Sequence, residues 1–139
     1  MNQSDIFQPF FVMLLLTLVV WFYMYSRRLP FILKNDLKPD QLTPIAFLKL
    51  APPSVTTPAD NLRNLFELPV LFYAVVLYLY VTNQVDNAYV TAAWVFAVVR
   101  VLHSVVHCTI NIVVLRFWLH VISAMALWFM IVRAAVAAF

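Results

Sequence analysis

Arg100, His103, His107 and Asn111 stand in the stretch RVLHSVVHCTIN, flanked on both sides by apolar sequence. Guanidinium, imidazole and carboxamide groups donate and accept hydrogen bonds, and the first two can hold an anion. At 100° per residue the four fall at about 0°, 300°, 700° and 1100°, which fold into roughly 80° of arc on a helix. They form one polar stripe on an otherwise apolar helix. Arg100 precedes Asn111 by roughly 16 Å along such an axis. An arginine at that depth in a bilayer costs about 2.5 kcal/mol or more unless it is paired.

A second set opens another apolar run, NLRNLFELPV. Arg63 and Glu67 are four apart and so share a helix face, with Asn64 beside them. Pro69 removes a backbone hydrogen bond within that run and predicts a kink. Arg63 reads either as part of a site or as half of an ion pair at the membrane surface. Glu67 is the acidic residue next to an apolar span, where such groups face a bundle interior or a water-filled cavity. It is the expected charge partner of Arg100, directly or through water, and the stripe should then point into a polar pocket open to the cytoplasm. His103 has a second reading, as a donor to a backbone carbonyl across a helix interface. HSVVH also has a spacing at which two histidines can ligate metal or haem. Against that, Glu67 is needed by Arg100 and Cys108 points about 100° away from His107. No metal is expected. His120 is read as a helix-packing residue.

The elements that must hold these groups follow from composition. Of 139 residues, 65% are hydrophobic and 11% charged, and none is glycine. A soluble domain of this size could not hide so much apolar surface. Four apolar runs reach about 20 residues, the length needed to cross a bilayer core of roughly 30 Å, and lipid requires each to be helical. The expected fold is an all-α integral membrane four-helix bundle forming one domain over 1–139, with helices at about 6–27, 59–82, 87–111 and 114–136. The first span lacks a cleavage pattern and is followed by Arg27 and Arg28, so it reads as a retained helix. Six of the nine Lys and Arg residues lie between the first two spans. The positive-inside rule then places that long loop, about 26–61, in the cytoplasm and both termini outside. Arg116 agrees with this orientation and Arg133 dissents. Within the loop, TPIAFLKLAPP reads as an interfacial segment. Thr56 or Thr57 is expected to cap the second helix, with Pro58 in its first turn. The charge balance is explained by topology, and no nucleic acid partner is expected.

RNLFELP at the start of the second span and RVLHSVVH through the third, followed by Arg116, resemble the MAPEG family, membrane-associated proteins in eicosanoid and glutathione metabolism. Chain length, four spans, the basic first loop and the outside termini resemble it as well. The resemblance implies a homotrimer with glutathione bound between subunits near the cytoplasmic face. By the resemblance, Arg63, Asn64 and Glu67 hold the charged ends of the tripeptide, while Arg100 and His103 complete the site from the adjacent subunit. Arg116 stands where the family has its thiol-activating arginine. A cation beside a thiol lowers its pKa, and the thiolate is the nucleophile. Two positions depart from the family pattern: His107 replaces a tyrosine, and Phe117 follows Arg116 where some members have serine.

The function implied is a glutathione-dependent transferase or peroxidase acting on hydrophobic electrophiles or lipid hydroperoxides that arrive from the bilayer. Lipids and glutathione are the expected small-molecule partners, and a bacterial inner membrane the expected location. Two other readings stand beside it: a non-catalytic lipid- or glutathione-binding scaffold, and a small transporter or proton relay using Glu67, Arg100 and the histidines.

Overall fold

A chain without glycine must find other residues for its tight corners, and this one uses Asp36, Asn83 and Asn111. All three have positive φ, at 46°, 54° and 50°. Asn and Asp tolerate this region because their short polar side chains bond locally. Each ends a long helix. Leu37 N donates back to Ile32 O, Gln84 N to Leu79 O and Asn111 N to Val106 O, which satisfies the last free carbonyls of the preceding turn.

The computed structural model describes residues 2–139. A short 3₁₀ turn, Gln3–Ile6, leads into α1 (Phe7–Lys34). A second turn, Pro39–Leu42, is followed by α2 (Pro44–Leu50) and α3 (Pro53–Leu65). Then come α4 (Leu68–Val81), α5 (Asn87–Cys108) and α6 (Val113–Ala138). Among the described residues there is no strand. Four helical stretches are long and apolar enough to cross a membrane: Gln3–Lys34, Pro53–Val81, Asn87–Cys108 and Val113–Ala138. The second of these is α3 and α4 in succession.

The expected four-helix architecture is present, and several expected boundaries move. α1 continues seven residues beyond the expected end near 27, straight through Pro30. The second span begins at Pro53, with Pro52 as its flanking residue, so Thr56 and Thr57 lie inside the helix and cap nothing. Proline belongs at such a start, since its missing N–H is one the first turn would leave free anyway. The connection expected to run over 26–61 is thereby reduced to the stretch from Asn35 to Pro52. Pro69 does not merely kink the second span. The helix stops at Leu65 and restarts at Leu68, with Glu67 at φ −99°, ψ −103° between the pieces. α5 ends at Cys108 and not at 111, because Asn111 takes the left-handed corner.

The apolar core joins Ile6, Met13 and Val20 to Phe72, Val76 and Leu79, and on to Phe96, Leu127 and Met130. Phe72 and Phe96 stack at 4.5 Å with 17° between their planes. Ala92, Ala93 and Ala97 are buried on α5, where small side chains let neighbouring helices approach as glycine would elsewhere. Outward-facing leucine, valine and phenylalanine cover the helices, among them Phe11, Leu15, Val19 and Phe22. That surface suits lipid and not water.

The two ends differ. At one, Gln3 exchanges two hydrogen bonds with the backbone of Val85, at 3.2 and 3.1 Å. Asp86 caps α5 by accepting from Tyr89 N at 2.9 Å, and its carboxylate is gripped by Arg133 of α6 at 2.9 and 2.5 Å. The cation that dissents from the charge rule thus has a carboxylate of its own. At the opposite, basic end lie the α1–α3 connection and the α5–α6 corner. There α2 packs Phe47 beneath the Arg28 guanidinium at 4.4 Å, leaving Ile45, Leu48 and Leu50 exposed. A short helix lying in the headgroup layer has this arrangement.

Candidate functional site

The break in the second span creates the first element of the site. In an unbroken helix the Asn64 carbonyl would accept from the N–H of residue 68. Pro69 cannot donate and its ring clashes with the carbonyl four residues earlier, so the helix gives way over Phe66 and Glu67. Phe66 N bonds Arg63 O at 3.0 Å and Glu67 N reaches Asn64 O at only 3.4 Å. The Asn64 oxygen is left open to another donor.

That donor is Arg100. Its side chain is fully buried, and Nη2 donates to Asn64 O at 2.7 Å. Nη1 lies 3.3 Å from His120 Nδ1. A guanidinium can only donate, so this contact requires His120 Nδ1 to carry the lone pair and Nε2 the proton. The Arg100 guanidinium also sits 6.0 Å from the centre of the Phe96 ring. Glu67, the expected charge partner, is exposed and makes no direct ion pair among the described residues, although it lies near enough for its charge to act on Arg100 and His120. The break turns Glu67 out of the register that a continuous helix would have given it. For the same reason Arg63 does not pair with Glu67; it lies 4.0 Å from Asp60, with both side chains largely in solvent.

The stripe on α5 is otherwise where its spacing places it. Arg100, His103 and His107 are all buried on the inner face. His103 packs edge-on against His107, ring centres 5.7 Å apart, and faces His120 at 6.2 Å. Asn111 leaves the stripe for the corner, where its Oδ1 accepts from Arg116 Nη1. Asn64, His103, Arg116 and His120 line one cleft of about 230 Å³, walled by Val113 and Phe117. Arg100 backs this cleft through its bonds to Asn64 and His120. Asn64 and Arg100 therefore meet within one chain and need no second subunit to do so.

Electrostatically the cleft is one-sided. Two guanidinium groups and two imidazoles stand at or behind its wall, and no carboxylate lines it. Three buried nitrogens here have no hydrogen-bond partner among the described residues: Arg100 Nε, His107 Nδ1 and Arg116 Nε. Buried polar atoms are seldom left unpaired without a reason, and guanidinium N–H groups short of acceptors suit an anionic ligand. Among the described residues, no three His, Cys, Asp or Glu side chains converge so as to hold a metal ion.

Two residues of this region escape a reading of the sequence. His120, read as a packing residue, is the second anchor of Arg100, and it stands four residues after Arg116 on the same helix face. Asn61 is completely buried. Its Nδ2 donates to Cys108 Sγ at 3.4 Å and its Oδ1 accepts from Ser104 at 3.3 Å, which locks α3 against α5. Its spacing three before Asn64 was the available signal.

A search of curated proteins and a search of solved structures each return no match. The profile described as the MAPEG family matches residues 6–136, nearly the whole chain, including every residue of the cleft. The chain, four apolar spans around a cation-lined cleft, belongs to the MAPEG family, membrane proteins related to eicosanoid and glutathione metabolism.

Proposed function

We propose that the protein is a glutathione-dependent transferase or peroxidase for hydrophobic electrophiles, working as a homotrimer in a bacterial inner membrane with its basic end toward the cytoplasm. One observation carries the reading: a cleft with guanidinium and imidazole donors, no carboxylate in its lining, and buried nitrogens in want of partners. Glutathione brings two carboxylates and a thiol that must ionise to react. Arg116 is the thiolate-stabilising group, held in place by Asn111. Arg100 and His103 supply the positive field behind it, and Asn64 fixes Arg100. Arg63 and Glu67 are exposed at the same end, where an adjoining subunit's ligand would meet them, Glu67 opposite the ammonium group.

In the transferase reaction the thiolate sulfur attacks an electrophilic carbon, a thioether bond forms, and the leaving group departs with the electron pair. In the peroxidase reaction two glutathiones reduce a lipid hydroperoxide to the alcohol and water and are joined as the disulfide. Stabilising the anion as it forms at Arg116 lowers the barrier in either case. Phe117 gives the cleft an apolar wall, suited to a second substrate delivered from lipid.

The test is equilibrium glutathione binding to the detergent-purified protein, following thiolate absorption in the ultraviolet, for wild type and Arg116→Ala. A thiolate signal that disappears in the variant supports the transferase reading. Binding without thiolate in wild type supports a glutathione-holding, non-catalytic scaffold. No binding at millimolar glutathione overturns both.

A further inference from the structure

On the far side of the α5–α6 corner from the cleft, two cavities run into each other. One is an apolar groove of about 260 Å³ between α1 and α5, lined by Leu16, Val19, Val20 and Val105 and ending at Tyr23, Cys108 and Thr109. The other, about 230 Å³, shares Tyr23, Cys108 and Thr109 and adds Arg27, Ser54 and Thr57. Along α1 the groove covers the eight residues from Leu16 to Tyr23, or roughly 10 Å, and Arg27 stands one turn further toward the basic end. The chain therefore offers an apolar trough inside the membrane whose upper end opens into a cationic, hydroxyl-bearing pocket at the surface.

The charge of the upper pocket selects the occupant. Arg27 is exposed, its guanidinium 5.9 Å from the Tyr23 ring, and no acidic side chain lines either cavity among the described residues. Ser54 and Thr57 add hydroxyl donors from the first two turns of α3. A phosphate with several acceptor oxygens fits such a set. Val19 and Val105 are exposed, at 63% and 54%, so the trough opens sideways to lipid. Basic pockets between spanning helices on the cytoplasmic side take anionic headgroups in this manner.

We propose that this continuous groove is a binding site for one anionic phospholipid, with an acyl chain along α1 and α5 and the phosphate at Arg27. None of the residues that line the cleft lines either cavity, and the two sites meet only at Asn111, which lines the upper pocket and accepts from Arg116.

The experiment is native mass spectrometry of the purified, delipidated protein titrated with dioleoyl phosphatidylglycerol or dioleoyl phosphatidylcholine. With about 1 kcal/mol per basic residue near an anionic headgroup, wild type should retain phosphatidylglycerol about fivefold better than phosphatidylcholine. Arg27→Gln should abolish that preference. Arg28→Gln, which alters the neighbouring cation packed on Phe47, should leave the preference as in wild type. Val105→Trp, which fills the trough, should lower retention of both lipids. Equal retention of the two lipids by wild type, or a preference that survives Arg27→Gln, overturns the proposal. So does a preference removed by millimolar inorganic phosphate and insensitive to Val105→Trp, which marks a soluble-anion pocket. A changed oligomer mass in Val105→Trp with lipid retention intact overturns it too, since the groove then seats a second copy of the chain.

Discussion

The Arg100 guanidinium reaches across from α5 to donate to the carbonyl oxygen of Asn64 at 2.7 Å. Where Pro69 interrupts the second span, that oxygen has lost its helical donor and keeps only a 3.4 Å bond from Glu67 N. A helix breaker and a buried charge are thus two halves of one device: the break presents an acceptor at a depth where water cannot.

Closing the break should disarm it. Pro69→Ala gives the Leu65 carbonyl its missing donor and lets the helix run on, so that Leu68 N reclaims the Asn64 carbonyl and leaves Arg100 with His120 alone. The expected outcome is a loss of glutathione affinity of about tenfold, the equivalent of roughly 1.4 kcal/mol for one hydrogen bond to a charged group. Titration calorimetry on the detergent-purified variant reads it directly. An unchanged affinity would detach Arg100 from the site.

His120 is the other anchor of Arg100. His120→Leu keeps the volume but offers no lone pair, so a buried donor loses its acceptor at a cost of about 1–3 kcal/mol. Thermal stability and glutathione affinity should both fall. His120→Asn retains a side-chain acceptor and should recover part of each. If leucine and asparagine behave alike, the contact carries no energy.

Asn111 does two things at once, occupying a left-handed corner and accepting from Arg116. Two substitutions separate them. Asn111→Gly keeps the corner, so the melting temperature should change little while the thiolate signal weakens. Asn111→Ala loses the corner as well and should cost about 1–2 kcal/mol more in stability. Differential scanning calorimetry and ultraviolet difference spectra on the same samples distinguish the two.

At the opposite end, the hydrogen bonds from Arg133 hold the Asp86 carboxyl below the ordinary aspartate value, with a smaller contribution from the Tyr89 N–H. A depressed acid stabilises the fold above its unfolded-state pKa and loses that contribution as pH falls through its folded-state pKa. The melting temperature should therefore decline as the medium is acidified below the usual aspartate range. Asp86→Asn, which still caps α5, should flatten that decline. Because both side chains are about two-fifths exposed, solvent screens the pair and the effect on stability is small. A melting profile of Asp86→Asn that parallels wild type at every pH would show the pair to be energetically silent.

The four spans were legible because lipid leaves little choice: long apolar runs must be helices. Arg100, His103 and His107 were legible for the same reason, since polar groups on an apolar helix are conspicuous and their spacing gave the buried face correctly. The prolines misled. Pro58 was expected in the first turn of the second span, yet Pro53 starts α3 and Pro58 lies within it; Pro30 is carried inside α1 beyond the end expected near 27, and Pro69 does more damage than a kink. Glu67 was assigned to Arg100 on helical register, and the break that Pro69 causes removed that register. Asn61 and His120 were missed because their partners lie on other helices, and only the crossing of α3, α5 and α6 brings them together. The transporter reading loses ground on α5 itself. Beyond Arg100 its buried face turns to Phe96, Ala97, Ala93 and Ala92, which offers no polar track through the second half of the membrane.

The paired bonds between Gln3 and Val85 and between Asp86 and Arg133 make one mouth of the bundle a fixed pivot. The other mouth, although Arg100 and Asn61 each make two contacts there, keeps buried nitrogens without partners. That difference predicts more motion at the second mouth than at the first. Amide exchange should be slowest near Val85 and fastest around the Phe66–Glu67 gap and the Thr109–Asn111 bend. A ligand that satisfies the idle nitrogens would stiffen the loose side alone, so its arrival would be recorded as a local slowing of exchange and not as a change in the shape of the whole.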